Sequence, residues 1–379
     1  MDVPYGLRKR KTSPGTAAGR IERLNISVYR IPTDSPESDG TLEWDSTTMV
    51  LVEAFGGGMN GLGFTYAGES SACLIHEKLS KALTGTPCLA VASAWQNMVR
   101  SVRNLGRPGV ASTAIAAIDI ALWDLKAKLL SLPLVALLGQ VKQSVPCYGS
   151  GGFTSFSKQQ LRDQLADWVS KGIRFVKMKT GREPKRDVER VAVARDTIGK
   201  ATGLFVDANG AYSRKQALAQ AEEFSRYDVS WFEEPVSSDD LDGLRLIRDR
   251  GPAGMDITAG EYGYDVFYFR RMLEAGAVDV LQPDATRCAG ITGFLQAAAV
   301  ADAFAVPISA HTAPSIHQHA CCAIPGARHV EYFHDHARIE KMFFDGAAKP
   351  VKGELVPDLS RSGLGLEFRR PDAERFRVR

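Results

Sequence analysis

From Val145 onward, short apolar runs alternate with longer amphipathic stretches. The apolar runs centre on Val145–Tyr148, Phe175–Met178, Leu204–Val206, Ser230–Phe232, Asp256–Thr258, Asp279–Leu281, Val306–Ser309 and Val330–Tyr332. Between them lie segments such as Pro184–Ile198 and Ser213–Tyr227, whose apolar residues recur at helical spacing. Pro184 suits the first turn of its helix, where a missing N–H costs little. Strand–helix alternation of this kind predicts a parallel sheet with right-handed crossovers. Seven or eight repeats predict closure into a TIM-like barrel.

The chain before residue 141 has another rhythm. Ile21–Tyr29 and Thr48–Ala54 alternate as strands do and predict an antiparallel meander. Between them Pro32–Asp45 is rich in Asp, Ser, Glu, Pro and Gly, which predicts a long loop. Gly56–Gly61 predicts a flexible flap. Ala114–Leu130 predicts a helix carrying Trp123, closed by Leu137-Leu138-Gly139. Near the end, Gly363–Glu367 reads as a strand returning to the first domain. The predicted layout is therefore a disordered basic N-terminus (1–20), an α+β domain (21–140), a barrel (141–355) and a returning C-terminal segment (356–379).

Composition changes little. At 44% hydrophobic and 24% charged the 379-residue chain is ordinary globular material. A net charge of +3 argues against a nucleic-acid partner, and Arg8-Lys9-Arg10-Lys11 reads as a solvated terminus. No apolar h-region follows that cluster, and no run of about 18 apolar residues exists, so neither a secretory signal nor a membrane span is expected. The six cysteines form no CxxC pair, and a chain this long needs no disulfide staples. Reduced thiols and a cytoplasmic location are the expectation.

Candidate chemistry sits at the ends of the predicted barrel strands. Three apolar runs end in carboxylates, Asp207, Glu233 and Glu261, spaced roughly 26–28 residues apart, about one strand plus one helix. Acids in these places can cap helices. Three of them at barrel intervals point instead into one mouth, where their repulsion calls for a hard cation. Oxygen-only ligands favour Mg²⁺ or Mn²⁺ over Zn²⁺. Asn209 shares a face with Asp207 and is a candidate for orienting metal or substrate. Glu234, beside Glu233, points elsewhere and is a candidate supporting residue.

The second strand carries Lys177 and Lys179, two residues apart and so on one face, towards the lumen. Each is expected to depress the other's pKa, and a neighbouring cation to depress both, which suits a general base. The sixth strand ends at Asp284 and the seventh at His311. A carboxylate paired with an imidazole fixes its tautomer and raises its basicity, giving a second acid or base. Glu331, on the eighth strand, is expected to reach the mouth as a protonated acid that donates to a substrate oxygen. No such partner is evident for the other histidines.

In order, these residues resemble the mandelate racemase subgroup of the enolase superfamily. The Lys177–Lys179 motif, the acids Asp207, Glu233 and Glu261, the Asp284/His311 dyad and Glu331 fall in the family's order, and Ala117–Lys126 is similar to its helical signature. The dyad separates the chain from muconate-lactonizing relatives, which look for a lysine on the sixth strand. The resemblance implies a capping domain built from residues 21–140 and the C-terminal segment, a Mg²⁺ that binds a substrate carboxylate, and removal of the α-proton to an enediolate. Lys179 and His311 would flank the α-carbon, with Lys177 tuning Lys179. If the β-carbon bears a hydroxyl, the implied outcome is dehydration of an acid sugar to a 2-keto-3-deoxy acid. Without a leaving group it is racemization or epimerization of a 2-hydroxy acid. A non-catalytic binding protein on the same fold is a further alternative. Substrate contacts are expected from the Pro32–Asp45 and Gly56–Thr65 regions, and a homo-oligomer is implied.

Overall fold

The computed structural model describes residues 19–379. The segment expected to be disordered, residues 1–20, lies outside the described residues except for its last two, and so does the Arg8–Lys11 cluster.

The chain opens with a three-stranded antiparallel sheet, β1 (Ile21–Ser38), β2 (Glu43–Gly56) and β3 (Met59–Tyr66). Two expectations fail here. Pro32–Ser38 is strand rather than loop, because pairing with β2 continues through Pro32↔Ser46 and resumes, after a register shift, at Glu37↔Trp44. Only Asp39–Leu42 turns. The expected flap is a tight hairpin, with Gly57 and Gly58 both at positive φ, which suits a two-residue turn.

Helix Val110–Leu129 lies across this sheet. It approaches closely because β3 offers glycines. A Cβ on Gly61 would stand 2.1 Å from Ala121 O, and one on Gly63 2.3 Å from Ala117 O. The polar residues of the Ala117–Lys126 signature tie the layers together. Asp119 accepts from Thr292 N (2.9 Å) and Thr292 Oγ1 (2.7 Å) in the barrel. Asp124 accepts from Leu62 N (2.7 Å) on β3 and Leu364 N (2.6 Å) in the C-terminal segment. The chain's last residues return to β1, with Val28 N donating to Arg379 O and Val378 N donating to Val28 O.

The barrel comprises β4 (Val145–Gly151), β5 (Phe175–Lys179), β6 (Gly203–Asp207), β7 (Val229–Glu233), β8 (Asp256–Ala259), β9 (Val280–Leu281), β10 (Ile308–Ala310) and β11 (Ala327–Phe333). Neighbours pair in parallel, and β11 pairs with β4 to close the ring. The eight strands match the eight apolar runs of the sequence. Glu354–Leu355 adds an antiparallel strand to β4.

Inward positions separate into layers. Tyr148, Phe205, Trp231 and Val280 pack the lumen as an apolar plug, against which Phe175 also packs. Two residues further along their strands come Lys177, Asp207 and Glu233. The period of two in a strand thus converts an aromatic floor into a charged mouth.

Candidate active site

The register sets the first residues of the site. Lys179 pairs with Asp207, which pairs with Glu233, so three side chains stand level on adjacent strands. Glu261 follows β8. Carboxylate oxygens of Asp207, Glu233 and Glu261 all lie within 4.8 Å of one another, and all three residues are buried. This set fits a hard divalent cation: oxygen donors only, converging, on rigid strand ends. Glu261 Oε2 is buried without a well-directed hydrogen bond, 3.2 Å from His311 Nε2, so an acceptor remains to be satisfied.

The acids are held unequally. Burial raises Asp207, but Lys179 and Lys177 outweigh it and bring the carboxyl below its usual range. Burial also opposes ionisation of Glu261, yet His311, Arg287 and Lys179 hold it well below the ordinary value. Glu233 goes the other way, to about 8, pushed first by burial and then by Asp207. It accepts from Lys177 Nζ (2.7 Å), Gln282 Nε2 (2.8 Å) and Trp231 Nε1 (3.1 Å).

Lys177 is fully buried and bridges three acids, Glu233 (2.7 Å), Glu331 (2.8 Å) and Asp207 (3.2 Å). Lys179 reaches Asp207 (2.6 Å) and Asn209 Oδ1 (3.1 Å). The surrounding acids oppose the expected depression of the lysines. Burial lowers Lys177, but Glu233 and Glu331 raise it well above its ordinary value. Burial lowers Lys179 as well, and Lys177 lowers it further as expected, but Asp207 leaves it raised. For Lys179 the attraction of Asp207, 2.6 Å away, exceeds the repulsion from Lys177, and for Lys177 the two glutamates outweigh burial.

Asp284 and His311 meet as expected, Nδ1 to Oδ2 at 2.8 Å. Burial opposes the imidazolium, but Glu261 and Asp284 push His311 up to about 9. Glu331 departs from its expected protonated form. Burial raises it, but Lys177 and then His311 bring it below the usual range, and it accepts from Lys177, Ser150 Oγ and Thr312 N. A carboxylate beside an ammonium stays ionised. Glu234 is buried, with its Oε1 lacking a partner, and is raised well above the ordinary value by burial and then Glu261.

Some of this architecture is invisible in the sequence. His317 accepts from Ala285 N (2.9 Å) through Nε2, which leaves Nδ1 to donate to Thr312 O (2.7 Å). It therefore locks together the two loops that carry Asp284 and His311. Arg287 donates to Glu261 Oε1 at 3.1 Å, a contact only its position three residues after Asp284 could have hinted at. Asn209, Glu234, Thr312 and Ala313, just past the strand ends, all adopt positive φ without being glycine, a strain that collects at functional sites.

Lys179, Asn209, Glu261, Asp284, His311 and Glu331 line one cleft of about 360 Å³. Its outer wall comes from the capping domain: Asp39, Leu42 and Trp44 at the β1–β2 tip, and Tyr66-Ala67-Gly68 at the end of β3. Lys177 is not among its lining residues. Among the described residues no helix is long and apolar enough to cross a membrane.

Comparison with known proteins covers most of the chain. The family model for the mandelate racemase / muconate lactonizing enzyme N-terminal domain matches residues 31–139, and that for the enolase C-terminal domain-like fold matches residues 160–373. The chain is 30% identical to the 3,6-anhydro-alpha-L-galactonate cycloisomerase of Streptomyces coelicolor, over 92% of this chain and 98% of that protein. It is 52% identical to a mandelate racemase/muconate lactonizing enzyme-like protein from Rubrobacter xylanophilus, whose crystal structure matches with a TM-score of 0.93 over 95% of this chain and all of that one. An L-talarate dehydratase from Polaromonas sp. JS666, solved with Mg and L-glucarate, is 29% identical, with a TM-score of 0.87 over 95% of this chain and 98% of that one.

Proposed function

Because the chain belongs to the mandelate racemase/muconate lactonizing enzyme family of the enolase superfamily, we propose that it removes the α-proton of an acid sugar and dehydrates it to a 2-keto-3-deoxy acid. One observation carries this reading. Lys179 contacts Asp207 at one end of the acidic triad, His311 contacts Glu261 at the other, and both line the same cleft. A carboxylate substrate seated over the triad has a nitrogen base on either side.

Asp207, Glu233 and Glu261 would hold Mg²⁺. When bound, Mg²⁺ supplies positive charge to the substrate carboxylate, where negative charge grows as the α-proton leaves, and competes with Lys179 for Asp207. With a cation's charge offsetting Asp207 and Lys177 repelling a second ammonium, Lys179 would lose its proton to solvent and, as the neutral amine, accept the α-proton. The electrons of the C–H bond form the new C=C bond as the β-C–O bond breaks. His311, held protonated by Glu261 and Asp284, gives its proton to the departing hydroxyl, which leaves as water. The enol then tautomerises to the 2-keto acid. Lys177 anchors Glu233, Glu331 and Asp207, and Glu331 positions Lys177 and the Thr312 backbone. Polar groups on the outer wall, among them Asp39, Trp44 and Thr48, suit a hydroxylated chain.

Cycloisomerization is a second reading, favoured by the full-length similarity to the Streptomyces coelicolor cycloisomerase. Racemization of a 2-hydroxy acid needs the same two bases and no leaving group. A screen of mono- and diacid sugars with Mg²⁺, read by 2-keto acid formation, tests the first reading. Keto acid from at least one sugar supports it; isomerised product without keto acid replaces it with one of the others. A homo-oligomer, proposed from family membership, is checked by light scattering.

A further inference from the structure

A second cluster of metal-ligating residues lies apart from the carboxylate triad. Asp34 and Glu37 stand near the end of β1, and His334 follows β11 on the barrel rim. Residues three apart on a regular strand face opposite ways. Here the register shift between Pro32 and Glu37 re-aims the chain, and both acids meet the histidine. One ligand atom from each of the three lies within 4.8 Å of the others. His334 Nε2 is 3.0 Å and 3.2 Å from the two Asp34 oxygens.

Glu37 makes this more than a surface group of acids. It is 0% exposed. Oε2 accepts from Trp44 Nε1 at 2.8 Å, while Oε1 is buried and has no partner. A buried carboxylate oxygen left unpaired is costly, and either a proton or a cation relieves it. Arg338, whose charge acts on Glu37, is otherwise engaged: its Nη2 donates to Pro32 O at 2.7 Å and pairs with Asp335. Burial and the Asp335 charge push Glu37 up to about 8.

We propose that Asp34, Glu37 and His334 form a second divalent-cation site that ties the tip of the capping sheet to the barrel rim. The donor set differs from that of the triad. One imidazole with two carboxylates suits Zn²⁺ or a neighbouring transition ion, whereas three carboxylates suit Mg²⁺. The site's position gives it a consequence. Beyond Glu37 the chain runs through Asp39 and Leu42 to Trp44, which line the cleft, and Phe333, next to His334, lines it too. A cation there would fix the cap over the mouth.

Equilibrium dialysis of the full chain against Zn²⁺, in Mg²⁺ sufficient to fill the triad, tests this. Wild type is expected to retain one tight equivalent of Zn²⁺. Asp34→Asn and His334→Gln should each weaken it at least tenfold, and Glu233→Gln should retain it. Asp34 is half exposed, so its substitution leaves packing intact; thermal midpoints in EDTA, equal to wild type, verify that. No Zn²⁺ bound by wild type, a smaller effect of either substitution, or loss of the equivalent in Glu233→Gln instead would overturn the proposal.

Discussion

His311 touches Asp284 through one ring nitrogen, at 2.8 Å, and Glu261 through the other, at 3.2 Å. The dyad therefore joins the acidic triad directly. Asp284→Asn would keep the shape but lose the charge that fixes the ring. Its expected cost is a fall in kcat of about 10²–10⁴, similar to that of His311→Asn. The double variant should cost little more than either single change, because the two act as one unit. Steady-state rates on any substrate found in the acid-sugar screen decide this; additive losses would separate the residues.

Lys177 has a different role from Lys179. It is buried between three acids and does not line the cleft. Lys177→Met should leave those acids without a counter-charge and destabilise the metal-free fold by about 3–5 kcal/mol. Mg²⁺ should restore part of that loss. Urea denaturation with and without Mg²⁺ provides the check, and unchanged stability in EDTA would contradict the network.

Removing one triad acid should weaken the cation more than the triad's supporting residues do. Replacing a supporting residue typically costs 10–100-fold in metal affinity, so Glu233→Gln is expected to exceed that range. Gln282→Ala, which removes a donor to Glu233, should fall within it. Calorimetric titration with Mg²⁺ measures both, and equal affinities for wild type and Glu233→Gln would place the ion elsewhere.

Two buried histidines set an acid limit on the fold. His329 stands among Tyr148, Phe175, Phe205 and Trp231, and burial pulls it down to about 3. His319 is pulled down to about 4 by burial. With both folded values below the unfolded one, near 6.5, their stability contribution is full above about pH 6.5 and is lost as pH falls towards 4 and 3. At pH 5 each costs about 2 kcal/mol relative to pH 7.5. His329→Phe should therefore lose less stability than wild type between those pH values, as read by urea midpoints.

Much of this was legible in the chain because a barrel writes its strands as separate apolar runs and ends them in the mouth. Asp207, Glu233 and Glu261 were visible as stops, and Asp284 and His311 as the ends of the next two strands, so their convergence followed from topology. Pro32–Ser38 was not legible as a strand, since its Pro, Asp and Ser suit loops, and only pairing with β2 across an irregular register overrides that preference. The acids packed around the lysines, and the lysine beside Glu331, were not legible because the sequence shows which groups meet but not their distances. Lys177 lies 2.7 Å from Glu233 and 2.8 Å from Glu331, and their charges outweigh the opposing effect of burial. His317 gave no signal, because its partners are backbone atoms of other loops.

The most direct test is α-proton exchange in deuterium oxide. Wild type with Mg²⁺ and a substrate acid sugar should bring about α-C–H cleavage, seen by NMR and mass spectrometry as solvent deuterium in substrate or product. The Lys179→Ala/His311→Asn double variant should show none while still binding Mg²⁺ at the wild-type stoichiometry. Exchange or turnover at the wild-type rate in that double variant would contradict the account.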